Sequence, residues 1–289
     1  MSSYSLFQRQ ALASDTLLCP GVVMKRVLLV MTVAFLAAAS LHGQWLKIPT
    51  PGIPRTANGK ADLAAPTPRT ADGHPALGGL WKPVPARAIG DIATAMPPGE
   101  AIPYQPWAEA IYKERVANLA KDDPTSNCIV GGVPRSDFVP YPLKIFETPG
   151  VTLILYEAIH SYRQIFTDGR LLPRDPSPAW FGYSVGRWEK DAFVVESAGF
   201  NDNVWLDNAG RPATEKLRVT ERFVRRDFGH MDIEITIDDP NAYTRPWKVT
   251  QSLVYQADDE LIEYICDENN RYFLIVPDAA PPGRPKGSR

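Results

Sequence analysis

The chain is poor in the residues that most often hold metals or carry redox chemistry: 4 histidines and 3 cysteines in 289 residues. His42 lies in a stretch expected to be removed, which leaves His74 in an extended arm and His160 and His230 in turns. A metal site would need all three to converge, and a solvated turn histidine is the simpler reading of each. Asn201-Asp202-Asn203 and Asp207-Asn208 lack the residue order and closing glutamate of a calcium loop, so turn chemistry explains them better. There is no Gly-rich phosphate loop, no Gly-x-Ser-x-Gly elbow and no His-Glu-x-x-His pair. No metal and no cofactor is therefore expected. Lys+Arg and Asp+Glu nearly balance, 31 against 33, which removes the electrostatic case for a nucleic-acid partner. Alternating β-α units are absent too, which argues against a doubly wound sheet.

Nor is there a long apolar run. VLLVMTVAFLAAAS, after Met24-Lys25-Arg26, is too short for a comfortable membrane span. A basic start, an apolar stretch and small residues make the plan of a secretory signal peptide, cleaved after Ala39 or Gly43. Met24 is read as the true start, and residues 1–43 as an upstream extension plus signal peptide. The mature protein is then periplasmic or secreted with no stable membrane span; the alternative is an uncleaved anchor. After cleavage Cys128 and Cys266 remain, in a compartment where disulfides persist. They are either bonded, closing a very long loop, or free buried thiols, and sequence alone leaves both open.

Proline is abundant, 28 residues crowded toward both ends. Residues 44–101 read as a Pro-rich extended arm, in which Pro54-Arg55-Thr56-Ala57-Asn58-Gly59 recurs as Pro68-Arg69-Thr70-Ala71-Asp72-Gly73. Asn-Gly and Asp-Gly favour tight turns, so the arm is expected to turn twice and to be pinned by Leu80 and Trp81. Residues 278–289 form a tail with nothing to bury. Between them, residues 102–277 read as one domain. It opens with a helix over Pro103–Lys121, with Pro106 in its first turn and Asp122-Asp123-Pro124 as its stop.

From Leu143 onward the pattern is strands: 143–148, 151–158, 162–168, 181–187, 192–197, a ribbon over 216–238, then 247–256, 261–267 and 271–276. About ten short strands in one block predict a mainly β fold, an antiparallel barrel of lipocalin-like form or a sandwich. The ribbon organises the block. Its strict alternation predicts a hairpin with Phe228-Gly229-His230 as the loop, Gly229 taking positive φ. Arg226 then faces Asp232, Phe223 lies opposite Ile235 and Glu221 opposite Ile237. Leu217, Val219, Phe223, Met231, Ile233, Ile235 and Ile237 form a core face, and arginines and carboxylates the other.

Glu221 breaks the apolar row. A carboxylate there must be paired, hydrogen-bonded or protonated. It is either a general acid or base, or half of a structural pair with Arg163 or Arg225. Glu157 and Arg163 repeat the theme, and with Glu221 they would make a polar floor inside a greasy barrel, the form of a small-molecule pocket. These three are the candidate catalytic residues. The long connection after Asp168-Gly169-Arg170, stiffened by Pro173, Pro176 and Pro178, is a candidate rim. Asp168, Arg170, Trp180, Tyr183, Trp205 and Trp247 are the candidate ligand contacts, although core filling is the default use of such rings.

Taken in series, Asp168-Gly169-Arg170, Gly186-Arg187-Trp188-Glu189, Trp205-Leu206-Asp207, Thr220-Glu221-Arg222-Phe223, Asp238-Asp239-Pro240, Tyr243-Thr244-x-Pro246-Trp247 and Cys266-x-Glu268-Asn269 resemble a family of uncharacterised secreted bacterial proteins. The likeness runs from about Trp45 to Asn269 and implies export and a shared β fold but no reaction. Lys190 stands where the resemblance leads one to expect glycine, and Ala213-Thr214 where it leads one to expect His-Ser. A weaker likeness, through Gly186-x-Trp188 and the strand count, is to lipocalin-type barrels. Three functions follow as expectations. The first is a small-molecule-binding barrel. The second is an acid–base enzyme, a hydrolase or isomerase, using Glu221, and the third a structural envelope module with a filled core.

Overall fold

A computed structural model describes residues 49–85 and 91–266. In chain order its main elements are β1 (Gly79–Val84), α1 (Pro106–Ala117), β2 (Leu143–Thr148), β3 (Val151–Tyr156), β4 (Ser161–Phe166), β5 (Tyr183–Glu189), β6 (Ala192–Ala198), β7 (Arg218–Arg225), β8 (His230–Asp238) and β9 (Trp247–Tyr255). Each strand pairs with the next and β9 returns to β1, so the nine strands close into a barrel. A closed barrel leaves no long unpaired edge, which is how this much β structure avoids pairing with other chains. One junction differs. β4 and β5 run parallel and touch only at Ile165↔Ser184 and Phe166↔Val185, so the barrel is mixed rather than antiparallel throughout. A parallel step needs a crossover, and the proline-rich stretch from Thr167 to Gly182 supplies it.

Alternation fixes which residues face inward. Val219, Glu221, Phe223, Met231, Ile233, Ile235 and Ile237 are all buried, as the ribbon pattern requires. The pairing is nevertheless displaced from expectation: Arg225 pairs with Met231, Phe223 with Ile233 and Glu221 with Ile235. The loop is Asp227-Phe228-Gly229, one residue earlier than predicted, with Arg226 N–H donating to the His230 carbonyl. The Asp227 carboxylate decides the matter, accepting from Gly229 N–H and His230 N–H at 2.9 and 2.8 Å. Partners shift by two, so every side chain keeps its face. Nor does Gly229 take positive φ; a Cβ there would lie 2.4 Å from Leu63 Cβ, so the glycine serves close approach of the arm.

The arm lies across one end of the barrel. Both repeats form the same turn, with Thr56 N–H donating to Lys60 O and Thr70 N–H to His74 O. Arg55 then clips Asp258 just beyond β9, and Arg69 clips Asp191 in the β5–β6 turn. Between them, the Leu63 and Ala65 carbonyls accept from Gly229 and Phe228 in the β7–β8 loop. Beyond Gly79 the stretch read as arm becomes a barrel strand, because β1 fills the space between β2 and β9.

Three further differences concern strands and turns. Residues 261–266 form no strand, because both edges of β9 are already taken by β8 and β1. The expected strand at 271–276 lies outside the described residues, as do the signal peptide and the tail. Lys190, in the β5–β6 turn, adopts φ +57°, the left-handed region that favours glycine. Lys190→Gly is accordingly expected to raise stability by up to about 1 kcal/mol; an unchanged or lowered melting temperature would contradict this. Cys128 and Cys266 are bonded across a sequence separation of 138 residues. In the chain-entropy model such a link contributes about 4–5 kcal/mol. Among the described residues no helix is long and apolar enough to cross a membrane.

Candidate functional site: a gap in the barrel wall and the ion pair behind it

The odd positions of β4 point inward, which buries Arg163 to 2 % exposure with Ile165 beside it. β7 brings Glu221 to the same depth, at 0 % exposure. The two meet fork to fork. Arg163 Nη1 donates to Glu221 Oε1 at 2.9 Å and Nη2 to Oε2. Arg163 Nε also donates to Ser184 Oγ at 3.1 Å and Nη2 to Ser197 Oγ at 2.8 Å, with the two hydroxyls 2.9 Å apart. Of the two counter-ions expected for Glu221, Arg163 is the one found. Arg225 lies toward the arm end, against Trp81, Phe228 and Tyr255, and donates to the carbonyls of Ala76, Asp227 and Phe228. Burial lowers the Arg225 guanidinium to about 10, while Glu221 holds that of Arg163 above its ordinary value despite its burial.

A second carboxyl joins the pair. Asp137, fully buried in the segment that plugs the end opposite the arm, accepts from the Tyr156 hydroxyl at 3.0 Å on Oδ1. Its Oδ2 is buried without a partner when the group is ionised. Burial first, and the neighbouring Glu221 second, push the Asp137 carboxyl well above the usual carboxylate range. Two carboxylates beside one guanidinium, away from water, favour a bound proton. A proton on Oδ2 gives that atom a donor and lets it bond to Glu221.

The proposed floor of Glu157, Arg163 and Glu221 does not assemble. β3 turns Thr152, Ile154 and Tyr156 inward, and Glu157 follows in the bend, accepting from Ile262 N–H at 3.3 Å. Burial raises the Glu157 carboxyl above its ordinary value, but its nearby charges are Asp259 and Lys82, not Glu221. Asp137 occupies the role assigned to Glu157. Sequence reasoning missed Asp137, Tyr156, Ser184 and Ser197. The serines carried a signal, since each holds an inward position beside apolar neighbours; Asp137, in an aperiodic stretch, carried none.

On the outer side of Arg163 the wall opens. β5 meets β4 only from Ile165 onward, so Tyr162 and Gln164 have no strand beside them. The chain before β5 is held away from β4 instead. Ala179 N–H donates to Gly199 O, Asn201 N–H donates to Ala179 O, and Gly182 bends at φ +61°. The result is a cleft of about 480 Å³ whose lining includes His160, Tyr162, Arg163, Trp180, Phe181 and Tyr183. Phe181 stacks on Tyr156, with ring centroids 5.5 Å apart, and so connects the cleft to the Asp137 network.

The other expected contacts divide. Trp180 and Tyr183 line the cleft. Asp168 and Arg170 flank it: they pair with each other, Arg170 donates to the Tyr183 hydroxyl at 2.9 Å, and its guanidinium lies over Phe166. Trp205 and Trp247 stand apart as buried core residues, the first under Arg115 and the second against Tyr243. Among the described residues no group of three or more histidines, cysteines, aspartates or glutamates is placed to hold a metal.

Fold and site together define a closed nine-stranded mixed β-barrel with a single α-helix, an architecture compatible with ligand binding. No family model and no curated protein matches the chain.

Proposed function

We propose that the protein is an exported binding protein of the family its sequence resembles, taking a small molecule into the cleft between β4 and residues 179–184. The observation that carries this reading is the gap itself. It is held open by hydrogen bonds to β6 rather than left by fraying, and aromatic rings line it around a few polar groups. Its size falls within the range of drug-sized ligand sites, about 300–1,000 Å³. The acid–base reading has less support. Glu221 is sealed from solvent and both its oxygens are bonded to Arg163, so its chemistry is that of a structural pair.

Anilinonaphthalene sulfonate, whose fluorescence rises in apolar surroundings, provides the test. The dye is expected to bind saturably, and Trp180→Ala to weaken it about tenfold, as removal of a ring worth about 1.5 kcal/mol implies. Leu171→Ala, exposed and outside the cleft, should leave binding unchanged. Equal dye binding by the wild type, Trp180→Ala and Phe181→Ala would remove the cleft as the site.

A further inference from the structure

The rings of the cleft suit many ligands, but its backbone does not. Thr167 N–H donates to Gly150 O where β3 and β4 join, which sets the alternation of the β3–β4 ladder. Ser161, Arg163 and Ile165 turn their backbone groups toward β3, and Tyr162 and Gln164 turn theirs the other way. The ladder to β5 begins at Ile165, so the amide and carbonyl of Tyr162 and the amide of Gln164 face the cleft with no strand beside them. Left without partners as a ligand displaces water, these groups would weaken its binding. A sugar ring or fused aromatic would fill the space between the rings but could not match groups repeating along a strand.

We propose that the ligand class of this cleft is a short peptide in extended form, added to β4 as a strand; the inference rests on the reading above that the cleft is the binding site. Donor and acceptor groups on a strand edge match those of a second strand, and alternate side chains of the added strand reach the walls. The open edge from Ser161 to Gln164 spans about 13 Å at 3.3 Å per residue, enough for roughly four residues. Walls for its side chains are present: Tyr162 is 62 % exposed on the outer face, with Trp180, Phe181 and Tyr183 across the gap. Charge selects further. The lining contains no aspartate or glutamate, and its two basic residues are Arg163 and His160. The peptide is therefore neutral or acidic, not basic.

The test titrates the mature protein with acetyl-Val-Tyr-Val-Glu-amide by calorimetry. Saturable binding is expected. N-methylation of the peptide's edge-facing amides should cost at least tenfold in affinity, and exchange of its glutamate for lysine should also weaken it. Tyr162→Pro deletes an amide that β3 does not use and should abolish peptide binding, with circular dichroism and melting confirming the barrel. Tyr162→Ala keeps the amide and should retain most of the affinity. Equal binding of the N-methylated peptide would overturn strand pairing whether or not the proline variant folds. If the dye enters in a Trp180-dependent way and the peptide does not bind, the peptide class falls and the cleft stands. If neither binds, both readings fall together.

Discussion

Arg163→Met should lower the free energy of unfolding by about 3–5 kcal/mol at neutral pH, the usual cost of breaking a buried pair by removing one partner. The methionine fills much of the arginine's volume, so packing contributes little to the loss. The loss comes from what remains: Glu221 and Asp137, two carboxyls at 0 % exposure with no cation to share. Combining Arg163→Met with Glu221→Leu should recover most of it, because replacing both charges removes the desolvation penalty along with the attraction. Ser184 and Ser197 already bond to each other and are not orphaned by the exchange. Urea unfolding of the wild type, both single variants and the double variant measures the coupling directly. A loss below about 1 kcal/mol for Arg163→Met would mean that water reaches the pair.

Asp137→Asn should act in the opposite direction and depend on pH. Unfolded, an aspartate gives up its proton near pH 3.9. In the barrel, burial and Glu221 hold that proton to a higher pH. Over the interval between, the native state binds the extra proton, so wild-type stability falls as pH rises, by up to about 1.4 kcal/mol per pH unit. Below that interval both states are protonated and nothing is lost. Asparagine supplies the same donor and acceptor with no proton to lose: its amide can reach Glu221 and its carbonyl can accept from Tyr156. The variant should therefore be more stable than the wild type at neutral pH, and the gap should close near pH 4. A variant less stable at neutral pH, with an unchanged slope, would show that Asp137 is ionised in the folded protein.

Much of this network could be read before any fold was known. Strict alternation placed Glu221 in an apolar row, and Arg163 shares its face with Ile165, so the inward direction of both followed from period two alone. The ribbon's register was off by one residue at the loop because the Asp227 side chain competes for the backbone there. Asp137 was invisible for a different reason: it follows no period, and only tertiary structure sets it beside Tyr156. β1 was hidden by Pro83, which normally demotes a strand. Pro83 is tolerated because β2 pairs only with Gly79, Leu80 and Trp81, and no β2 residue seeks its missing amide. The segment 261–266 erred the other way, since a strand-like pattern cannot form a strand where no edge is free. The parallel junction was legible in principle, because the length of the connection between β4 and β5 is that of a crossover.

Ring closure has a consequence for how the protein is made. The strand that seals the cylinder, β1, is the first of the nine to be synthesised, and its Trp81 and Lys82 bond to Tyr255 and Val254 of the last. Contacts so distant along the polypeptide form slowly, because the intervening chain must be brought together before they return anything. A nascent chain therefore carries an unsatisfied first strand until translation is almost complete. Such a molecule stays threadable during synthesis, and its final shape is assembled only after the whole chain has been delivered.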